Sequence, residues 1–238
     1  YLKKSDEIQK RTIPIVKTLL TQISEKKSIK KEINSATTKI TLRYGLIDMN
    51  RTITGYLKGN YNDSADKFET INGDSISTWN NFNWNSKHYC TSICIPSEFG
   101  TKIKSDGKNS IVTDSKIHTI THVLVNASKI LTKSESNDID AYYENGIIHL
   151  FDNTSDGYNG CSKMIYENFE EIMDTCFDLI NECDCPVDPK QKKAVSEGEE
   201  WGGCPKCTFT TNYCQTKNKK LSKNEALEFF SIFKREIK

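Results

Sequence analysis

The sequence predicts an α+β fold: an antiparallel or mixed β-sheet packed with helices, followed by a C-terminal subdomain organised by four cysteines. Three observations carry this prediction. Apolar residues alternate from Ile40 to Leu46, through Tyr89, Ile93 and Ile95, and fill a short run from Ile147 to Phe151, which are strand patterns. They recur at three and four from Ile117 to Leu131, from Ile165 to Ile180 and from Leu227 to Phe233, which is the helical period. A Cys-x-Cys pair at Cys183 and Cys185 and a Cys-x-x-Cys pair at Cys204 and Cys207 then supply four thiols near the C-terminus. Four soft sulfur ligands in tetrahedral array are what a closed Zn²⁺ site takes. Cys214 adds a fifth thiol, and one metal cannot use all five.

The chain of 238 residues is long enough for one sizeable core with a small appendage. Lys and Arg total 33 against 32 Asp and Glu, so a nucleic-acid footprint must come from local clustering and not from global basicity. A mean hydropathy of -0.61 is polar, but the recurring apolar periods predict a folded chain. No run of eighteen apolar residues and no basic-then-apolar leader occurs, which predicts a cytoplasmic protein without a membrane span. The first residue, Tyr1, suggests a piece of something longer. Nine cysteines, an odd number bunched toward the C-terminus, suit metal binding better than a disulfide framework.

Three segments are expected: a helical N-terminal segment or linker at 1–38, an α+β body at 39–182, and a zinc-binding subdomain with a final helix at 183–238. After Pro14, the spacing of Ile15, Val16, Leu19, Leu20 and Ile23 predicts the N-terminal helix, and the charge run from Glu25 to Glu32 a solvated face. Residues 40–57 read as a hairpin turning at Met49, Asn50 and Arg51, and residues 59–75 as a polar connection. Trp79, Phe82 and Trp84 read as a strand burying its aromatics, with a base-stacking surface as the other possibility. Cys90 and Cys94 fall on one face of a strand, where buried thiols behave as small apolar residues. Gly107, Lys108, Asn109 and Ser110 lack the spacing of a phosphate loop, so ATP hydrolysis by this chain alone is not expected.

His118 and His122 sit four apart on the helix that begins near Ser115, but Thr119 stands where a zinc peptidase carries its glutamate base, so structural histidines are expected. Asp152, Asn153, Gly157 and Gly160 mark a sharp strand-to-helix turn whose amides could open toward an anion. Residues 165–180 predict one helix running directly into Cys183, with Cys176 in its apolar face. Residues 186–203 read as an exposed excursion. Ser222 and Glu225 have capping-box spacing before the last helix.

The C-terminal half resembles the zinc-binding domain of MrfA/Hrq-type superfamily-2 DNA helicases, a domain also found in the DrmB component of the DISARM phage-defence system. The resemblance rests, in order, on the His122 helix, the strand with Asp152, the Gly157 and Gly160 turn, Cys183-x-Cys185, Gly203-Cys204-Pro205-x-Cys207, Cys214, Asn218 and Leu221-Ser-Lys223. It covers about residues 115–238. It implies Cys183, Cys185, Cys204 and Cys207 as ligands, with Cys214 in place of Cys183 as the alternative set. Segment 186–203 departs from the family, whose members usually have only a few residues there; loop entropy grows slowly with length, so this need not abolish binding.

What the resemblance implies is an accessory domain of an ATP-dependent DNA helicase in repair or phage defence, bound to DNA beside ATPase lobes that lie in cis or in trans. Lys217, Lys219, Lys220 and Lys223 would contact phosphates, most simply of single-stranded DNA. The competing expectation is a protein-interaction scaffold in a helicase or defence complex, which a near-neutral charge suits. A zinc hydrolase would need an open coordination position, which four thiolates do not leave.

Overall fold

A computed structural model describes residues 9–20, 28–35, 39–62, 67–96, 115–144, 146–154, 156–185, 201–210 and 221–234. The described elements are strands β1 (Gln9–Leu20), β2 (Ile29–Asn34), β3 (Lys39–Asn62) and β4 (Lys67–Cys94), helix α1 (Ser115–Thr132), strands β5 (Ile139–Glu144) and β6 (Ile147–Asp152), helices α2 (Cys161–Glu167) and α3 (Phe169–Asn181), strands β7 (Trp201–Gly202) and β8 (Leu221–Ser222), and helix α4 (Lys223–Phe233). This is the α+β class read from the sequence. A six-stranded sheet runs in the order β1-β3-β4-β6-β5, with β2 also paired to β3, and β7 and β8 form a separate two-stranded parallel pair.

The chain divides into two compact units, residues 1–22 with 48–87, and residues 23–47 with 88–238. In the first, β1 pairs antiparallel with β3 from Gln9 opposite Tyr61 to Leu20 opposite Met49. The helix expected after Pro14 is therefore a strand. Thr12, Ile13, Ile15, Val16 and Thr18 are β-branched and fit a pleated surface, while Pro14, which cannot donate to a ladder, is tolerated because β1 ends the strand order. The register slips between Ile15 and Val16, where β3 carries Thr54 as an extra residue; this bulge blurred the alternation that would have marked a strand.

The hairpin expected at Met49 to Arg51 is also absent, because β3 passes through these residues without turning. Its polar positions are satisfied laterally instead: Asn50 Nδ2 donates to Asn85 Oδ1 at 2.6 Å and Thr52 Oγ1 to Asn83 Oδ1 at 2.6 Å. Most of the expected connection 59–75 belongs to the two long strands. Phe82 and Trp84 lie in β4, as a strand reading required, but they are 63% and 40% exposed and not buried.

In the second unit β2 pairs with β3, β4 with β6, and β6 with β5, all antiparallel. Ile40, Leu42 and Tyr44 alternate into the core, as period-two patterning demands. Against Ile93, Ile148 and Leu150 pack Ile117, Ile120 and Leu124 of α1, Phe169, Ile172, Met173 and Cys176 of α3, and Phe229 and Phe230 of α4. Full burial of each such side chain contributes about 1.5–3 kcal/mol. The single helix expected over 165–180 is two, divided at Asn168, whose φ of -109° and ψ of 27° leave the helical region. Cys90 and Cys176 are wholly buried, as expected of core thiols; burial pushes the Cys90 thiol up to about 12 and Cys176 well above its ordinary range.

Candidate metal centre

The site is assembled from three places in the chain. α3 ends at Asn181, and its last turn is closed by Glu182 N donating to Asp178 O at 2.9 Å, so Cys183 follows from a rigid element. Cys185 N donates to Cys183 O at 2.8 Å, folding the Cys-x-Cys pair back on itself. Residues 204–208 then form a tight knuckle in which the N–H groups of Cys207, Thr208 and Phe209 all converge on Cys204 O. Thr208 staples this turn: its Oγ1 accepts from Cys204 N at 2.6 Å and donates to Cys204 O at 3.3 Å.

The knuckle is held from behind by α1. His122 Nδ1 lies 3.1 Å from Thr208 O, and since a carbonyl can only accept, the ring carries its proton on Nδ1. One turn along, Asn126 Nδ2 donates to Phe209 O at 2.8 Å and to Cys207 O at 3.3 Å. Burial, helped by His118 whose ring packs edge-on at 4.3 Å, holds His122 down at about 4, so it is a neutral structural donor. That agrees with the structural reading of His122. Gly203, just before Cys204, has no room for a side chain: an added Cβ would run into the Phe209 ring and lie 2.8 Å from Leu221 Cδ1.

The four sulfurs of Cys183, Cys185, Cys204 and Cys207 come together, all within 4.8 Å of one another. Adjacent pairs are 3.6 Å (Cys183 to Cys185), 3.8 Å (Cys183 to Cys204) and 3.8 Å (Cys185 to Cys207) apart. Thiolates about 2.3 Å from a tetrahedral zinc stand about 3.8 Å from one another, so the donor set fits the ion in type, number and spacing. Burial, then the charges of Cys185 and Cys204, push the Cys207 thiol upward. Burial also works against ionisation of Cys204, yet the N–H groups of Lys206 and Cys207 and neighbouring thiols bring it below its ordinary value. A divalent cation is the ordinary means of keeping four clustered sulfurs deprotonated. Cys214, the fifth thiol, lies outside the described residues, as do Lys217, Asn218, Lys219, Lys220 and residues 186–200 of the excursion expected over 186–203.

Lys223, expected from the sequence as a phosphate contact, lies against the metal centre. Its ammonium donates to Cys185 Sγ at 2.9 Å and to Cys183 O at 3.3 Å. Burial opposes its charge, but the hydrogen bond to Cys185 and the field of the cysteines outweigh this and raise its pKa. The capping box expected at Ser222 and Glu225 does not form, for Ser222 makes no side-chain cap. Its N–H donates to Thr119 Oγ1 at 2.7 Å, and Glu225 accepts from Ser115 Oγ at 3.3 Å, so α1 anchors the start of α4.

The Gly157 and Gly160 turn lies on the same scaffold. Both glycines have positive φ, 70° and 84°. The amides that opened toward an anion in the sequence reading do meet one, and it is internal: the fully buried Asp152 carboxylate accepts from Asn159 N at 3.0 Å, Gly160 N at 3.1 Å and Ser162 N at 2.6 Å. Asp152 thus locks the end of β6 to the start of α2.

Two thiols at the end of α3 and two from the knuckle thus form one four-sulfur cluster, positioned to bind a metal ion, on an α+β body. Residues 120–208, which hold α1 from Ile120 onward and all four cysteines, match the family model of the MrfA Zn-binding domain, MZB. The resemblance read from the sequence is borne out over this segment. Among solved structures, the chain is similar to the DUF1998 helicase MrfA crystallised bound to DNA, with a TM-score of 0.52 and 15% identity over 94% of this chain and 26% of that one. A second structure, MrfA bound to DNA and AMPPNP, gives a TM-score of 0.49 and 14% identity over 94% and 23% of the two chains. The first likeness establishes a shared fold that extends well beyond residues 115–238. The chain spans about a quarter of the helicase's length. No curated protein matches it. Among the described residues no helix is long and apolar enough to cross a membrane.

Proposed function

We propose that this chain is a zinc-stabilised, nucleic-acid-binding accessory domain of an ATP-dependent DNA helicase, acting in DNA repair or phage defence in the cytoplasm. The observation that carries the reading is the convergence of Cys183, Cys185, Cys204 and Cys207 within a segment that matches the MrfA Zn-binding domain. A bound zinc would supply a cross-link and no reaction, because four thiolates fill a tetrahedral shell and leave no position for water. The cross-link joins α3 to the knuckle braced by α1. Its binding energy, roughly 10–16 kcal/mol in small zinc domains, would outweigh what so short a segment can bury.

The DNA part of the proposal is supported by the likeness to a helicase crystallised with DNA. Lys217, Lys219 and Lys220, which follow the metal-site cysteines in the sequence, would supply phosphate contacts, most simply to single-stranded DNA, with the ATPase lobes supplied in cis or in trans. Binding should then be insensitive to sequence and steeply salt-dependent. Fluorescence anisotropy with a single-stranded oligonucleotide across a salt series tests this: each lysine changed to alanine should flatten the log-log slope by about 0.7. An unchanged slope in the triple variant would reject that surface. The near-neutral charge favours a second reading, a scaffold docking on helicase lobes or a defence-complex partner. Failure to bind DNA at low salt, with stable co-purification of a motor subunit, would select it.

A further inference from the structure

The contact between Lys223 and Cys185 is not explained by the helix to which Lys223 belongs. Lys223 is the first residue of α4, where the helix dipole presents positive charge and disfavours a cation. The acidic side chain of that first turn, Glu225, accepts from Ser115 Oγ. The ammonium turns instead to Cys185 Sγ at 2.9 Å and Cys183 O at 3.3 Å, so that it grips both residues of the Cys-x-Cys pair. Of its three N–H donors, two are accounted for at the metal centre.

Four thiolates around one Zn²⁺ leave a net charge of -2, held by residues that are buried (Cys204, Cys207) or half-buried (Cys183, Cys185). Removing such charge from water is costly unless it is paired and hydrogen-bonded. The acidic neighbours Glu182 and Asp184 flank Cys183 in sequence and can only add to the negative field. Lys206 contributes its backbone N–H, 3.4 Å from Cys204 Sγ, which is a dipole and not a charge.

We propose that Lys223 is a positioning residue of the metal centre: its ammonium orients the Cys185 thiolate, halves the net charge of the zinc-tetrathiolate group, and ties the start of α4 to the ligands. This rests on the reading of the four cysteines as one zinc centre. A charge-assisted N–H···S bond draws electron density from the sulfur, so it makes Cys185 a weaker nucleophile and a longer-lived ligand. It also couples the metal to the core, because the same helix buries Phe229 and Phe230. Lys223 is thereby separated in role from Lys217, Lys219 and Lys220.

The test uses the full zinc-loaded chain with Lys223→Met, which keeps the aliphatic stem and removes the charge, and Lys223→Arg, which keeps a cationic donor. Zinc affinity from chelator competition should fall about 10–100-fold in Lys223→Met. Alkylation by iodoacetamide, mapped by peptide mass, should quicken at Cys185 more than at Cys204. In the Co²⁺-substituted chain the sulfur-to-metal charge-transfer band should shift in Lys223→Met and return toward the wild-type position in Lys223→Arg. A general loss of folding would not produce this rescue or this selectivity. If Lys223→Met keeps wild-type affinity, alkylation pattern and band position while losing DNA affinity, Lys223 is a phosphate contact and the inference is wrong. A wild-type chain without zinc overturns both the metal reading and this inference; zinc in the wild type with an unaltered Lys223→Met site overturns the inference alone.

Discussion

Asn126 on α1 holds the backbone of Phe209, donating from Nδ2 to its carbonyl at 2.8 Å and reaching the Cys207 carbonyl at 3.3 Å. The amide therefore fixes the chain on both sides of Thr208, immediately after the last metal-site cysteine. Asn126→Ala should cost about 1–2 kcal/mol and quicken zinc release, since two carbonyls lose their donor. Asn126→Asp should be worse than alanine, because a carboxylate there would face two acceptors. Urea midpoints and chelator kinetics measure both effects, and an aspartate milder than alanine would show that the amide is not a donor to these carbonyls.

Asp152 gathers three N–H groups of the Gly157 to Ser162 turn onto a carboxylate with no exposure to solvent. Asp152→Asn turns one acceptor oxygen into a donor that faces N–H groups. The variant should lose roughly 3 kcal/mol of stability. A change in the urea-derived free energy within about 0.5 kcal/mol of zero would mean that the turn is held by its glycines and not by the carboxylate.

His149 in β6 is buried with Nδ1 2.8 Å from Ser92 Oγ, and burial pulls it from an ordinary 6.5 to about 4. The unfolded chain takes up this proton near pH 6.5 and the folded chain only near 4. Stability from this group is therefore complete above about pH 6.5, is lost as pH falls toward 4, and changes no further below that; the gap is worth about 3 kcal/mol. His149→Asn should flatten the slope of unfolding free energy between pH 6.5 and 4. An unchanged slope would place that pH dependence on other groups.

Wherever one physical signal dominated, the sequence was legible. The alternation at Ile40, Leu42 and Tyr44, the helical spacing at Ile117, Ile120 and Leu124, and the paired spacing of the four cysteines each point to one local structure. Residues 9–20 were not legible, because a bulge and Pro14 disrupt the period-two pattern, while strand order, which lets an end strand accept a proline, is a long-range property. The length of β3 was hidden for a related reason. Its polar residues Asn50 and Thr52 look like a turn but bond laterally to Asn85 and Asn83.

At the metal site the ligand types could be read, but their supports could not. Thr208 and Asn126 act through hydrogen bonds to backbone atoms, which leave little trace in composition. The polar positions His118, His122 and Asn126, spaced at four on a largely buried helix, were the one available signal. Lys223 reads in the sequence as one more member of a basic cluster, and its contact with Cys185 is a long-range pairing that the sequence does not reveal.

Zinc content measured on the purified chain, with each cysteine changed singly to serine, tests the central claim most directly. One zinc per chain is expected in the wild type and in Cys214→Ser, with loss or strong weakening in Cys183→Ser, Cys185→Ser, Cys204→Ser and Cys207→Ser. A wild-type chain without zinc, or retention in Cys183→Ser together with loss in Cys214→Ser, would contradict the centre described.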